Sequence, residues 1–293
     1  MEVTDLKYAI IGGDRRTVLL AEALARDGKT VHCYAAEKAE IDGCVQCACL
    51  LSCLYGAECV LLPITAEKGG AINAPLSDKR LSTAEIAASL NAGQLLVGGG
   101  LSRELVFAAE ASGVRTLDLM RDEEFAAYNA ELTAEAAIGV LICESDGALM
   151  GGRALVSGYG RIGRALAERL RAMGAETSVS ARSVKALSEA ERAGFHAVPI
   201  QELESAAGAF DYIVNTVPAR VFSSAALCGV PEGALLLELA SAPGGFDAEL
   251  ARNIGLKAVH APGLPGRFSP RSCAEYIKRW LERHCPGERS GKE

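Results

Sequence analysis

Six consecutive residues carry the clearest chemical signal in the chain: Gly158-Tyr159-Gly160-Arg161-Ile162-Gly163, the G-x-G-x-x-G spacing of a turn that grips a dinucleotide diphosphate. Such a motif means little alone, but this one has its full surroundings. Ala154-Leu155-Val156-Ser157 ahead of it reads as a strand. Ile162, Leu166, Leu170 and Met173 behind it form the apolar stripe of a helix that Gly174 closes, and Thr177 to Ala181 reads as a second strand. In that frame Gly158 permits the tight turn, Gly160 lets the backbone approach the diphosphate, and Gly163 brings the helix onto the strand. The leading end of the helix offers unpaired N–H groups and a positive dipole end to the phosphates. The chemistry implied is hydride transfer by a nicotinamide coenzyme, with Tyr159, Arg161 and Ile162 counted in the binding turn beside the three glycines.

The end of the second strand bears on which coenzyme. NAD binders usually place a carboxylate there to accept from the ribose 2′-OH. Here the strand runs into Ala181-Arg182-Ser183. Arg182 could pair with a 2′-phosphate and Ser183 could donate to it, which favours NADP and leaves NAD as the alternative; the plain reading of Arg182 is a solvated surface arginine. Two further loops follow strands and should line the coenzyme: Asn215-Thr216-Val217-Pro218, and Ala240-Ser241 with Ala242-Pro243-Gly244-Gly245. Ordinary turn chemistry is the alternative for both.

Other reaction signatures are missing. There is no HExxH, no GxSxG and no Walker lysine motif. His32, His196, His260 and His284 stand isolated in the sequence and read as structural, with His260, at the end of a strand beside the expected coenzyme loops, the one candidate for a direct role. Five of the ten cysteines crowd one segment, Cys44, Cys47, Cys49, Cys53 and Cys59. Their spacing lacks the second matched pair of a structural zinc site, so they read as free thiols packed as small apolar side chains, and no metal is expected.

The elements that position these residues fall into two β-α-β systems. Tyr8 to Ile11, a helix closed by Gly28, and Thr30 to Tyr34 open the chain; Cys59 to Pro63 and Leu95 to Gly98 read as further buried parallel strands, with Thr65 to Leu81 a long polar loop between them. Charged residues 121–127 precede an Ala-rich helix whose start Asn129 could cap. Tyr212 to Asn215, Leu235 to Leu239 and Lys257 to His260 complete the second system, and Ser269-Pro270 starts a last helix. This predicts an α/β protein of two domains: an N-terminal, smaller Rossmann-like domain over 1–128 and a doubly wound parallel Rossmann sheet over 129–268. A helix over 269–286 returns to the N-terminal domain, and a polar tail covers 287–293.

Bulk properties agree. With 293 residues, 49% apolar side chains and a net charge of −7, each half can bury a core, and neither side of residue 130 has a cationic excess. A nucleic-acid-binding surface is therefore not expected. The opening residues lack the pattern of a secretion signal, and no apolar run reaches the ~20 residues needed to span a bilayer, so a soluble cytoplasmic protein is predicted.

Beyond the glycine turn, several stretches in order resemble one family over nearly the whole chain: the A subunits of dipicolinate synthase from endospore-forming bacteria. They are Ile10-Ile11-Gly12-Gly13-Asp14-Arg15-Arg16, Leu62-Pro63-Ile64-Thr65, Tyr128-Asn129-Ala130-Glu131-Leu132-Thr133-Ala134-Glu135, the loop Asn215 to Pro218, Leu239 to Gly245, and Ala261-Pro262-Gly263-Leu264-Pro265-Gly266. The cysteine-rich segment belongs to no pattern of that family. The resemblance implies NAD(P)-dependent oxidation of a dihydrodipicolinate to dipicolinate during sporulation, in the mother-cell cytoplasm. It also implies a flavoprotein-like B subunit as partner, in a homo- or hetero-oligomer.

A substrate with two carboxylates calls for cationic or N–H donors. Arg15, Arg16, Lys68, Arg220 and Arg267 are candidates, and Thr65 and Asn129, in the family-like loop and linking helix, are counted with them; each arginine could equally be a surface residue. Asp14, Glu135, His260 or water could take the proton. Two other readings stay open: a dehydrogenase of the 2-hydroxyacid or shikimate type, which would need a His–carboxylate or Lys–Asp pair not evident here, and a nucleotide-binding subunit without its own catalysis.

Overall fold

The computed structural model describes residues 6–285; residue 286 and the expected tail lie outside them. Among the described residues the chain forms two compact units, one of residues 6–126 with 269–285 and one of Ala127–Phe268.

The first unit contains strands β1 (Lys7–Ile11), β2 (Thr30–Tyr34), β3 (Val45–Gln46), β4 (Cys59–Ile64), β5 (Glu67–Lys68), β6 (Ala71–Ile72), β7 (Leu95–Gly99) and β8 (Arg115–Asp118). Its helices are α1 (Arg15–Arg26), α2 (Leu50–Leu54), α3 (Thr83–Ser89) and α4 (Arg103–Ala111), and α5 (Glu123–Glu144) starts here. Six strands form a parallel sheet in the order β3-β2-β1-β4-β7-β8. The central strands are apolar without interruption because both faces are covered. Tyr8, Ile10, Leu61 and Val97 pack on one side with Leu20 and Leu24 of α1, while Ala9, Ile11, Val60, Leu62 and Leu96 pack on the other with Ile86 of α3 and Leu105 of α4. That alternation is the two-residue period of a strand.

The second unit holds β9 (Arg153–Ser157), β10 (Glu176–Ala181), β11 (His196–Pro199), β12 (Tyr212–Asn215), β13 (Leu235–Glu238) and β14 (Lys257–His260), parallel in the order β11-β10-β9-β12-β13-β14. Its helices after α5 are α6 (Arg161–Ala172), α7 (Val184–Arg192), α8 (Leu203–Ala206), α9 (Ser224–Cys228), α10 (Ala248–Asn253) and α11 (Leu264–Phe268). The sheet order reverses at β9, between β10 and β12, which is where ligands of such folds sit. The expected doubly wound α/β architecture is therefore present.

The last helix, α12 (Pro270–His284), belongs to the first unit and lies along α1: Ala274, Ile277, Trp280 and Leu281 join the cluster around Leu20, Ala21 and Leu24. Proline opens this helix, where its missing N–H is no loss.

Three local expectations change. The segment between β4 and β7 is not all loop, because β5 and β6 pair as an antiparallel hairpin, Lys68 opposite Ala71. Its two-residue turn, Gly69-Gly70, has φ of 61° and 75°, the backbone that a tight hairpin demands. Asn129 does not cap α5, which begins at Glu123, well ahead of it. Asp122 does so instead, its Oδ1 accepting from the N–H of Phe125 at 2.8 Å, and Glu123 and Glu124 suit the positive end of the helix. His32 and His284 are not isolated: the Nδ1 of His32 lies 3.5 Å from the Cys47 thiol, and His284 stacks on Trp280 at 4.1 Å.

Candidate dinucleotide site

The turn after β9 is built by contacts that leave two of its glycines no alternative. Gly158 takes φ +99°, and a β-carbon there would run into the Thr216 hydroxyl. A β-carbon on Gly163 would run into the carbonyl oxygen of Gly158. Thr216 is fixed in turn, its N–H and its Oγ1 both donating to the Ser157 carbonyl at 2.8 and 2.9 Å. Gly160 is different. Its φ is −80°, ordinary for any residue, and a β-carbon there would meet nothing within 4 Å. The protein's own atoms do not require glycine at 160; a diphosphate laid against the backbone would.

Gly160 is also the N-cap of α6, and no side chain caps that end. The first turn therefore presents its N–H groups and the positive end of a 12-residue helix outward, next to the open cradle. Arg161 is exposed and Ile162 half-buried at this end. Tyr159 points its ring inward: it is 7% exposed, meets Phe195 edge-on at 6.2 Å, and carries the Arg164 guanidinium 4.4 Å over its ring. Burial raises its phenol above the usual range. What Tyr159 can give a ligand is backbone.

Arg182 and Ser183 follow β10, both exposed. The Ser183 hydroxyl caps α7 by accepting from the Ala186 N–H at 3.2 Å, and its own proton remains available to a phosphate. Across β9 the loops after β12 and β13 are joined through a buried pair that pattern reading missed. The Glu238 carboxylate accepts from Asn215 Nδ2 at 2.7 Å, from the Ala240 N–H at 2.9 Å and from the Gly245 N–H at 2.7 Å. Asn215 also grips Val217, donating to its carbonyl at 2.9 Å and accepting from its N–H at 3.2 Å. Val217 is half-buried, Pro218 and Ser241 are exposed, and Ala240 is buried. The one available signal for the pair was a carboxylate closing the otherwise apolar strand Leu235-Leu236-Leu237.

A pocket of about 350 Å³ opens beside the second of these loops, lined among others by Arg220, Glu238, Ala240, Arg252 and His260. His260 ends β14 in register with Glu238 and is exposed, as is Arg220. This brings together two residues expected at the substrate from quite separate stretches. Arg267 lies exposed on α11, its guanidinium 5.7 Å from the Phe268 ring.

In the first unit Asp14 caps α1 and accepts from the backbone and side chain of Arg16, at 3.0 Å for the N–H and 2.8 Å for Nη2. Arg16, 8% exposed, also donates to the Ile64 carbonyl. That arginine locks the end of β4 to the start of α1, and its charge is already matched. Arg15, Thr65 and Lys68 are exposed close by in sequence to these contacts. On α5, Asn129 is half-buried, its carbonyl accepting from Thr133 Oγ1 at 2.7 Å, and Glu135 is exposed.

Of the cysteine cluster, Cys53 and Cys59 are buried, and burial pushes the Cys53 thiol well above its usual range. Among the described residues no group of three or more His, Cys, Asp or Glu side chains is arranged to hold a metal ion, and no helix is long and apolar enough to cross a membrane.

Residues 7–120 match the model of the N-terminal domain of the dipicolinate synthase A subunit. Residues 125–242 match that of the D-isomer specific 2-hydroxyacid dehydrogenase NAD binding domain. The dipicolinate synthase A subunit of Bacillus subtilis (strain 168) is 27% identical over 285 residues, 96% of each chain. The crystal structure of the dipicolinate synthase A subunit from Bacillus halodurans superposes with a TM-score of 0.84 at 25% identity, covering 96% of this chain and 98% of that one. The crystal structure of its Bacillus subtilis counterpart gives 0.80 at 27% identity, covering 96% and 95%. The second unit is thus an NAD-binding dehydrogenase domain that marks an oxidoreductase, and the chain as a whole is similar to the dipicolinate synthase A subunits.

Proposed function

We propose that the chain oxidises dihydrodipicolinate to dipicolinate, pyridine-2,6-dicarboxylate, with NADP or, in its place, NAD. In this reading it is the A subunit of a dipicolinate synthase, works with a flavoprotein-like B subunit, and serves sporulation in the mother-cell cytoplasm. The observation that carries the reading is the likeness to a dipicolinate synthase A subunit over 96% of both chains. The Gly160 cradle supports it independently, being a glycine that only a ligand would require.

Bound nicotinamide would supply the hydride acceptor. The backbone of 158–163 and the leading end of α6 hold the diphosphate, Arg182 and Ser183 the adenosine ribose and its 2′-phosphate, and the loops 215–218 and 240–241 the other half. The substrate loses a hydride and a proton and becomes aromatic, so the reaction runs downhill. The chain's main task is to hold a dianion in position. Within the second unit we assign that task to the exposed cations Arg220 and Arg267, with Asn129 as a polar partner; within the first, the exposed Arg15, Lys68 and Thr65 are candidates for binding an anion. Arg16, already matched by Asp14, acts by fixing the end of β4. The proton goes to His260, which lines the same pocket as Arg220, or to water; Asp14 is taken up by Arg16 and its helix.

The test is an absorbance assay of nicotinamide reduction with freshly generated dihydrodipicolinate, with NADP and NAD, with and without the B subunit. Reduction dependent on dihydrodipicolinate is expected. Coenzyme binding without turnover in any mixture would instead make the chain a binding subunit, and turnover of 2-hydroxy acids would make it a dehydrogenase of that class.

A further inference from the structure

Glu238 is a carboxylate at the end of a buried strand, 6% exposed, with no cation paired to it in the described ion pairs. Burying a charge this way is costly unless several donors surround it. Three do, and they come from two separate loops: the Asn215 amide from the end of β12, and the Ala240 and Gly245 N–H groups from the two ends of the loop after β13. The loop is shaped around this hub. A β-carbon on Gly244 would stand 2.8 Å from Glu238 Oε2, and one on Gly245 would run into the Asn215 side chain. Gly245 passes the constraint on, its carbonyl accepting from the N–H groups of Val221 and Phe222 at 2.9 and 3.0 Å.

We infer that Glu238, with Asn215, is the positioning residue that sets the loops 215–217 and 240–245 for the nicotinamide half of the coenzyme. The inference rests on the dinucleotide reading of the second unit. The sheet order gives it its specific content. Arg182, at the end of β10, lies on one side of the β9 turn, while β12 and β13, which carry the hub, lie on the other. In a fold of this kind the adenosine ribose is read at the end of the strand that β10 occupies, and the second mononucleotide lies across the switch point. Disturbing Glu238 should therefore weaken the hold on one half of the coenzyme and spare the other. A carboxylate has about four lone-pair sites, and on Glu238 three of them are taken by donors of the two loops.

Glutamine is the discriminating replacement. Its one carbonyl oxygen can serve the donors of one carboxylate oxygen, and its NH2 must then face an N–H at the other. The measurement is the affinity of Glu238→Gln for NADPH, NADH and the fragments 2′,5′-ADP and ADP, together with amide hydrogen exchange at 240–245. Expected are faster exchange at Ala240 and Gly245, affinity for the whole coenzyme lowered about tenfold, as for loss of a charge-assisted bond, and fragment affinity within about twofold of the parent. Asn215→Ala, which removes one of Glu238's donors and both bonds to Val217 and leaves the Ala240 and Gly245 bonds, should show the same split, and it carries the test if Glu238→Gln does not fold. Unchanged coenzyme affinity despite loosened loops, or an equal fall for coenzyme and fragments, overturns the inference. A parent chain that binds neither coenzyme nor fragment overturns the dinucleotide reading itself.

Discussion

The carbonyl oxygen of Gly158 occupies the space that a β-carbon on Gly163 would need, so the first and last glycines of the turn depend on each other before any ligand arrives. Gly163→Ala must push α6 off the end of β9. Forcing a methyl into a closed contact typically destabilises by about 1–3 kcal/mol. A loss of that size in urea unfolding is expected, with coenzyme affinity falling alongside. A variant as stable as the parent would mean that the helix start is looser than the contact requires.

Gly160 makes the opposite prediction from the same six residues. Its backbone suits any residue and its surroundings are open, so Gly160→Ala should unfold within about 0.5 kcal/mol of the parent, the range of a neutral surface change. The methyl should nonetheless obstruct the diphosphate, and calorimetric affinity for NADPH and NADH should fall at least about tenfold, the scale of one charge-assisted hydrogen bond lost. Full affinity in Gly160→Ala would remove the diphosphate from this turn.

Arg182 decides between coenzymes. It is exposed at the end of β10, where a carboxylate would favour the ribose 2′-OH and a cation favours a 2′-phosphate. Arg182→Asp should raise the Kd for NADPH by about tenfold or more and change that for NADH little, because only the former meets a reversed charge. Unchanged NADPH affinity would take Arg182 out of the site and reopen the choice of NAD.

Much of this was legible in one dimension, for physical reasons that also explain what was not. Strands such as Leu95–Gly99 and Tyr212–Asn215 are covered on both faces and so write themselves as apolar runs. The edge strands Arg115–Asp118 and His196–Pro199 are partly exposed, carry no such run, and could not be seen. The glycine turn was readable because its constraints are local. The Glu238–Asn215 pair was not, because its two members are 23 residues apart and are joined only by the pairing of β12 with β13. Likewise the charge of Arg16 looked available for an anion until the fold set Asp14 and the Ile64 carbonyl against it. Asn129 looked like a helix start because the acids before it read as linker, whereas acids at 122–124 are what a helix N-terminus favours.

Arg220 and His260 line one pocket, and the proposed chemistry gives them different tasks. If Arg220 holds a carboxylate, Arg220→Ala should raise KM for dihydrodipicolinate about tenfold or more with a smaller change in kcat, the pattern of uniform binding lost. If His260 takes the proton, His260→Ala should lower kcat with a smaller change in KM. An unchanged kcat would assign the proton to water.

Asp122 supplies a prediction about stability in place of activity. Its carboxyl is held below the usual carboxylate range first by the Trp280 indole N–H, 3.0 Å from Oδ2, and then by the Phe125 N–H. It joins the start of α5 to the helix α12 within the first unit. A group whose folded pKa is depressed stabilises fully above its unfolded value, about 3.9 for Asp, and that contribution is lost as pH falls through the lower folded value. Asp122→Ala should therefore lower stability by about 1–2 kcal/mol at neutral pH, as for a lost cap with one further hydrogen bond. Asn can still cap the helix through its oxygen but turns an NH2 toward the indole, so Asp122→Asn should lose less. In urea unfolding from neutral pH downward, the gap between parent and Asp122→Asn should hold to about pH 4 and close below it, because only the parent has a carboxylate there to protonate. A gap independent of pH would mean that the bond to Trp280 contributes shape and no charge.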